Sequence, residues 1–188
     1  LFPYTTLFRS LYILGMSNRS AKLAAQRGLP FVIARMGQSE TDLHEAISTY
    51  RKYFKAYHGE INNAKPYVIL ATFVVTASNL SRVKQLLHTL QLWLMRINYL
   101  NQPKSYPSIE TAQNKHYSQR ELEKLEKMKS KIIYGMPNDV AEQLTLLHQQ
   151  FKVDEIIILP HVFGEDARIE LIELIANELI PSCSRDEF

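Results

Sequence analysis

A glycine followed by two serines three residues apart is the part of this sequence best suited to binding chemistry. Gly15, Met16, Ser17 and Ser20 stand between an apolar run and a helix-like segment. A helix N-terminus presents unpaired backbone N–H groups and the positive end of the helix dipole, which favour a phosphate. Both serine hydroxyls can donate from the same face of the first turn, and Met16 contributes its backbone N–H. The pattern predicts a phosphate-binding turn, or two serines that only cap a helix.

The histidines do not form a metal-binding pattern. None of them has the H-x-x-x-H spacing of a zinc site, and the chain contains neither a GKS phosphate loop nor a nucleophile elbow. We therefore expect no metal. The histidines stand singly at positions His44, His58, His88, His116, His148 and His161.

Strand-like and helix-like segments alternate along the chain. Strands are predicted at Leu11–Leu14, Phe31–Ala34, Tyr67–Ala77 and Ile156–Leu159, and helices after each, the first ending at Gly28 and the others near 41–57, 80–100 and 166–179. The first strand is apolar throughout, which predicts burial on both faces. Alternating strands and helices imply a parallel sheet with right-handed crossovers, so the fold class is α/β with about four βα units.

A helical insertion is predicted between the third and fourth units. Residues 101–116 contain two prolines and read as a surface excursion, and a charged helix follows from the capping pattern at Ser118 to about Lys131. The segment Gly135-Met136-Pro137 reads as a turn that starts another helix. Residues 181–188 are expected to form a loose tail.

Composition narrows the class of protein. The chain has 188 residues, a net charge of +3 and one cysteine, Cys183. The small charge gives no reason to expect nucleic acid as a partner, although residues 1–58 hold eight Lys/Arg and three Asp/Glu, which favours an anionic ligand or else is scattered surface charge. No apolar run approaches the roughly 20 residues of a membrane span, and the single cysteine favours the cytoplasm.

The first ten residues, LFPYTTLFRS, are expected to be an artefact. They match one reading frame of a common sequencing adapter and lack the features of a secretory signal. We therefore expect the domain to occupy residues 11–180, as part of a longer protein.

The segment LGMSNRSAKLAAQRGLPFVIA resembles the luciferase-like flavin-dependent monooxygenases. The likeness continues through Tyr50-Arg51 and Phe54, the strand PYVILATFVV, the turn GMPNDV and the strand DEIIIL. This resemblance implies the C-terminal half of a TIM (β/α)8 barrel, with the first four units and the catalytic residues absent. It also implies reduced FMN at the carboxyl ends of the strands, where barrel active sites lie.

The resemblance assigns roles to particular positions. Met16, Ser17 and Ser20, next to Gly15, match the family's phosphate-binding turn. Arg35 and Met36 stand where the family often has an aromatic or His-Phe pair facing the flavin and substrate pocket. His161 follows the fourth strand at the end that faces the pocket, although it also fits a surface-loop histidine.

The implied activity is that of an oxidoreductase using reduced FMN and O2 on a small-molecule substrate, with a flavin reductase as a possible partner; some relatives use a deazaflavin instead. We expect the intact protein to be the enzyme and this half to be inactive alone. The open apolar edges of the first and last strands predict a homo-oligomer or other self-association. The alternatives are a non-catalytic flavin-binding or assembly protein and an unrelated α/β phosphate-ligand domain.

Overall fold

The computed structural model describes residues 11–58, 65–97 and 104–180. The predicted adapter segment, the tail and Cys183 lie outside these residues. The strands are β1 (Ile13–Gly15), β2 (Phe31–Ala34), β3 (Val68–Thr76), β4 (Ile133–Gly135) and β5 (Glu155–Leu159). The helices are α1 (Asn18–Arg27), α2 (Glu40–His58), α3 (Leu80–Ile97), α4 (Ile109–Gln113), α5 (Gln119–Lys129), α6 (Pro137–Phe151) and α7 (Glu165–Leu179).

The chain divides into two compact units, of which the first holds residues up to 71 and 151–157. In it β1 pairs in parallel with β2, and β2 in parallel with β3, with Ile13 opposite Phe31 and Phe31 opposite Val68. Helix α1 buries its alanines, and the rings of Phe31 and Tyr50 lie 5.5 Å apart. Apolar side chains between sheet and helices thus form the core of this unit.

Polar contacts fix the amino ends of the strands in the first unit. The Tyr50 hydroxyl donates to the carbonyl of Leu29 (3.0 Å) and accepts from the N–H of Tyr67 (3.1 Å). Asp154 accepts from the N–H of Val68 through its carboxylate (2.8 Å) and donates its own N–H to the Val68 carbonyl (2.9 Å). These bonds satisfy backbone groups where β2 and β3 begin.

Strand β1 differs from the prediction. It begins at Ile13 rather than Leu11, and Leu11 and Leu14 are each 68% exposed. The expectation of burial on both faces is wrong, because α1 covers only one face of this strand and nothing in the described chain covers Leu14.

The second unit holds residues 72–150 and 158 onward. Here β3 pairs in parallel with β4, and the long helix α3 is buried on most of its sides. The buried side chain of Gln91 donates to the carbonyl of Leu125 at 3.2 Å, which joins α3 to α5. Gln91 therefore ties the predicted insertion to the core of its unit.

The insertion contains more structure than the sequence predicted. A short helix, α4, lies in the segment read as an irregular excursion, and Ile133–Gly135 is a strand where only a turn was expected. Three residues are too few for an alternating pattern to be visible in the sequence. The charged helix and the fourth predicted strand are confirmed as α5 and β5, and β5 pairs with β3. The α/β class is thus confirmed, and the four predicted βα units are present together with a fifth, β4 with α6, whose strand was not predicted.

The described residues contain neither a candidate membrane-spanning helix nor a candidate metal-binding cluster. Among them, no helix is both long and apolar enough to cross a membrane. No group of three or more His, Cys, Asp or Glu side chains in the same part of the chain could hold a metal ion.

Candidate functional site

The predicted phosphate-binding turn links the end of β1 to the start of α1. Ser17 is the N-cap of the helix, with extended backbone angles (φ −142°, ψ 159°). Both Met16 and Ser17 are exposed, so the turn is open to solvent. The structure therefore brings Gly15, Met16, Ser17 and Ser20 together at one helix N-terminus.

Ser17 and Ser20 form a reciprocal capping box. The N–H of Ser17 donates to Oγ of Ser20 (3.1 Å), and the N–H of Ser20 donates to Oγ of Ser17 (3.3 Å). The Ser20 hydroxyl also donates to the Ser17 carbonyl (2.8 Å), so its proton is used within the turn. The capping role is thus present, and the exposed Ser17 hydroxyl is the one that can turn its proton outward.

Two backbone amides are left at the open end of the helix. The N–H groups of Asn18 and Arg19 have no acceptor among the described residues, whereas that of Ala21 donates to the Ser17 carbonyl. Free first-turn amides are the groups that bind anions at helix N-termini. Together with the Ser17 hydroxyl they provide three donors for one anionic group.

Gly15 provides the space that this turn requires. A Cβ at Gly15 would lie 2.1 Å from Oγ and 2.2 Å from Cβ of Ser20. Any larger residue would therefore displace Ser20 and open the capping box. The close approach keeps the turn compact, and a compact helix N-terminus with free amides is the kind of group that can hold a phosphate.

A surface hollow of about 660 Å³ lies along the start of α1. Its cationic side chains are Arg19 and Lys22, and the Lys22 ammonium lies 4.7 Å from the ring centre of Tyr53. The two cations favour an anion in the hollow, and the one carboxylate bonded to a lining residue, that of Glu45 on Asn18, opposes it. The hollow is lined by Ser17, Asn18, Arg19, Ser20, Lys22, Leu23 and Gln26.

The loop after β2 lies at the same edge of the sheet as the turn, because β1 and β2 are parallel and Gly15 pairs with Ile33. Arg35 and Met36 are half-buried in this loop, and the Arg35 amide donates to the Ala71 carbonyl at 2.8 Å. Burial lowers the pKa of the Arg35 guanidinium, an effect that nearby Glu40 opposes. The predicted pocket residues of this loop therefore lie on the edge that carries the turn.

His161 lies in the second unit within an aromatic cluster. Its ring centre is 4.1 Å from that of Trp93, 5.0 Å from Tyr106 and 5.9 Å from Phe73. Its Nε2 is buried without a hydrogen-bond partner among the described residues, and burial, aided by Arg168, lowers the pKa of the imidazole. His161 lies in a loop, as the surface-loop reading expects, but it is half-buried, with aromatic side chains from three other segments packed around it.

Sequence reasoning missed two long-range contacts of the turn, which involve Gln38, Asn18 and Glu45. The side-chain amide of Gln38 donates to the Met16 carbonyl at 2.5 Å. The side-chain amide of Asn18 donates to a carboxylate oxygen of Glu45 at 2.5 Å. These contacts join residues 22 and 27 positions apart, which no local motif indicates.

Comparison with protein families assigns this chain to a family. The family model for luciferase-like monooxygenases matches residues 3–152, and the chain belongs to this family. It is 26% identical over 167 residues to the uncharacterized protein YceB of Bacillus subtilis (strain 168), covering 89% of this chain and 49% of that protein. It is also 26% identical to a luciferase-like monooxygenase of Escherichia coli (strain K12), and the match covers 87% of this chain and 48% of that protein. The chain thus spans about half the length of the curated relatives it matches.

Solved structures show the same fold over half of their length. Apo-MsnO8 is similar with a TM-score of 0.74 and 24% identity, over 90% of this chain and 50% of that one. EDTA monooxygenase (EmoA) from Chelativorans sp. BNC1 is similar with a TM-score of 0.55 and 16% identity, over 88% of this chain and 43% of that one. An F420-dependent secondary alcohol dehydrogenase is similar with a TM-score of 0.51 and 17% identity, over 88% of this chain and 48% of that one. The fold class predicted from the sequence, half of a luciferase-like TIM barrel, is confirmed.

Proposed function

We propose that this chain is the flavin-phosphate-binding half of a luciferase-like, flavin-dependent monooxygenase. The observation that carries the proposal is the turn from Gly15 to Ser20, in which a glycine without room for a side chain precedes a capped helix with two free amides. Family membership supports a flavin as the source of the phosphate. The intact protein is the enzyme in this proposal, and this half alone is inactive.

The residues of this half hold and orient the cofactor. The amides of Asn18 and Arg19 and the Ser17 hydroxyl bind the phosphate, and Arg19 and Lys22 add positive charge. Arg35 and Met36 line the pocket on the sheet edge that carries the turn. When bound, reduced FMN would supply two electrons to O2, so that one oxygen atom enters the small-molecule substrate and the other leaves as water.

A deazaflavin is the second candidate cofactor. The cationic hollow along α1 extends beyond the phosphate turn to Lys22, which suits a cofactor with anionic groups beyond a single phosphate. One structural neighbour is described as F420-dependent, which is said of that protein alone. FMN remains our first choice because the turn itself offers donors for one phosphate.

The proposed partners are a flavin reductase and a second copy of the chain. Leu11, Tyr12 and Leu14 are exposed on and before β1, which pairs with β2 alone among the described strands. An uncovered apolar edge strand favours self-association.

A titration that compares FMN with riboflavin tests the proposal. The two ligands share the isoalloxazine ring and differ in the phosphate, so their affinity ratio isolates the contribution of the turn. We expect FMN to bind at least about tenfold more tightly, since charged hydrogen bonds contribute about 1.5–3 kcal/mol each. Ser17→Ala with Ser20→Ala should reduce the ratio, and equal affinity of the unmodified chain for both ligands would remove the assignment. Flavin-dependent O2 uptake, measured on a full-length protein that contains this half, separates catalysis from binding alone.

A further inference from the structure

We propose that Gln38 and Glu45 are positioning residues that hold the phosphate-binding turn from outside. The inference rests on the proposed function of the turn and names residues that no motif in the turn contains. Neither side chain belongs to the set of donors described above. Both act through a residue of the turn, Gln38 through Met16 and Glu45 through Asn18.

The peptide bond between Met16 and Ser17 is held on both of its sides. Its carbonyl accepts from the side-chain amide of Gln38 (2.5 Å), and its N–H donates to Oγ of Ser20 (3.1 Å). Fixing both polar groups fixes the orientation of the peptide plane, from which the N-cap and the first helical amides follow. Without Gln38 the carbonyl would lose its protein partner and the plane could rotate.

The loop that carries Gln38 is itself well fixed. Gly37 has a φ of +80°, a left-handed conformation that turns Gln38 back toward β1, and the Met16 methyl lies 3.9 Å from the position of a Cβ at Gly37. Ser39 and Asp42 then cap α2, with the Ser39 hydroxyl donating to the Asp42 carboxylate at 2.6 Å. Gln38 therefore lies between a glycine turn and a capped helix and is preorganised for its contact.

Glu45 restrains the other end of the turn. It lies on α2 and accepts from the side-chain amide of Asn18, the first residue of α1. This bond holds the Asn18 side chain against α2 and away from its own backbone N–H. The Glu45 carboxylate also places a negative charge near the proposed phosphate, which opposes binding of a dianion. Its hydrogen bond and its charge therefore have opposite effects on FMN affinity.

Substitutions separate these effects in the 188-residue chain, with the ratio of riboflavin to FMN dissociation constants as the readout. Gln38→Met keeps the length of the side chain and removes the donor, and we expect the ratio to fall about three- to tenfold. Glu45→Ala removes both the hydrogen bond and the charge, and we expect a fall of about twofold or more because the lost restraint on Asn18 outweighs the lost repulsion. Glu45→Gln keeps an acceptor oxygen and removes the charge, and we expect the ratio to be restored or to rise.

The controls are matched in chemistry and lie in the second unit. Gln149→Met and Glu142→Gln change exposed residues of α6 and should leave the ratio unchanged. A merely structural role for Gln38 would lower the melting temperature and weaken both flavins equally. If the unmodified chain prefers FMN and the Gln38 and Glu45 variants keep that preference, the positioning inference fails while the proposed function stands. If the unmodified chain binds both flavins equally, the proposed function itself fails.

Discussion

Oγ of Ser20 occupies the space in which a side chain at Gly15 would begin, with only 2.1 Å between that oxygen and the position of a Cβ. The capping box between Ser17 and Ser20 therefore depends on the absence of a side chain two residues before the cap. The end of β1, Gly15 and the N-terminus of α1 are thus structurally linked. The close approach of the Gly15 backbone to Ser20 sets the direction of the free amides.

Gly15→Ala should disrupt both the cap and the binding of FMN. The new methyl group must displace Ser20, and loss of an N-cap costs about 0.5–2 kcal/mol. Urea unfolding measures this loss, and the titration with FMN and riboflavin measures the effect on the turn.

The matched control is Gly28→Ala at the other end of α1. Gly28 has a φ of 64°, so alanine is strained there and should lower stability by about 1 kcal/mol. It should leave the preference for FMN intact. A Gly15→Ala variant that keeps both the stability and the preference would contradict the close-approach argument.

The sequence predicts the local contacts of this site better than its long-range contacts. Gly15, Ser17 and Ser20 act over six residues, so their types and spacing were enough to predict a turn and its cap. The contact of Gln38 with Met16 depends on parallel pairing of β1 and β2, and the sequence alone does not state which loops meet.

Burial was predicted less well than secondary structure. The apolar run from Leu11 to Leu14 was expected to be buried on both faces, yet Leu14 is 68% exposed, because burial depends on which elements cover a strand. His161 was expected in a surface loop or facing a pocket, and the rings of Trp93 and Tyr106 reach it from separate segments. A three-residue strand such as β4 carries too little pattern to be recognised.

Leu14→Lys should reduce self-association of the chain. Leu14 lies on β1 and exposes 68% of its surface, and a lysine on an edge strand opposes pairing with another copy. Sedimentation velocity at increasing concentration should show oligomers for the unmodified chain and mainly monomer for the variant. A stable monomer at every concentration of the unmodified chain would overturn the proposed self-association.

Thr76→Val should leave the chain equally stable or raise its free energy of unfolding by up to about 1 kcal/mol. The Thr76 hydroxyl is fully buried and has no hydrogen-bond partner among the described residues. Removing an unpaired buried hydroxyl removes its desolvation penalty. Denaturant unfolding measures the change.

Thr89→Val is the comparison for that experiment. Thr89 is equally buried, but its hydroxyl donates to the Leu86 carbonyl at 2.7 Å. Losing this bond should cost about 1 kcal/mol. If both variants lose the same stability, the difference in hydrogen bonding does not explain the two sites.

His161 should make the chain less stable as the pH falls from about 7.5 to 5.5. Burial lowers the pKa of its imidazole below the ordinary value of 6.5, so the unfolded chain binds more protons in this range and gains stability relative to the folded chain. The contribution is complete above pH 6.5 and decreases as the pH falls below it. Unfolding midpoints at pH 7.5, 6.5 and 5.5 test this prediction.

His161→Phe keeps an aromatic ring and removes the titrating group. We expect a shallower pH dependence for this variant than for the unmodified chain between pH 7.5 and 5.5. The shifted carboxylates Glu121 and Glu170 have lowered pKa values, so their contributions are lost below about pH 4.5, outside this window. Parallel curves for the two proteins would show that His161 is not desolvated.

The amide resonances of Asn18 and Arg19 report most directly on whether this turn binds a flavin phosphate. In a nuclear magnetic resonance titration of the 188-residue chain, we expect FMN to shift both amide protons downfield, as new hydrogen bonds to a phosphate do. Riboflavin at the same concentration should leave them in place. Unchanged resonances with FMN at saturation, or equal shifts with riboflavin, would contradict phosphate binding at the turn between β1 and α1.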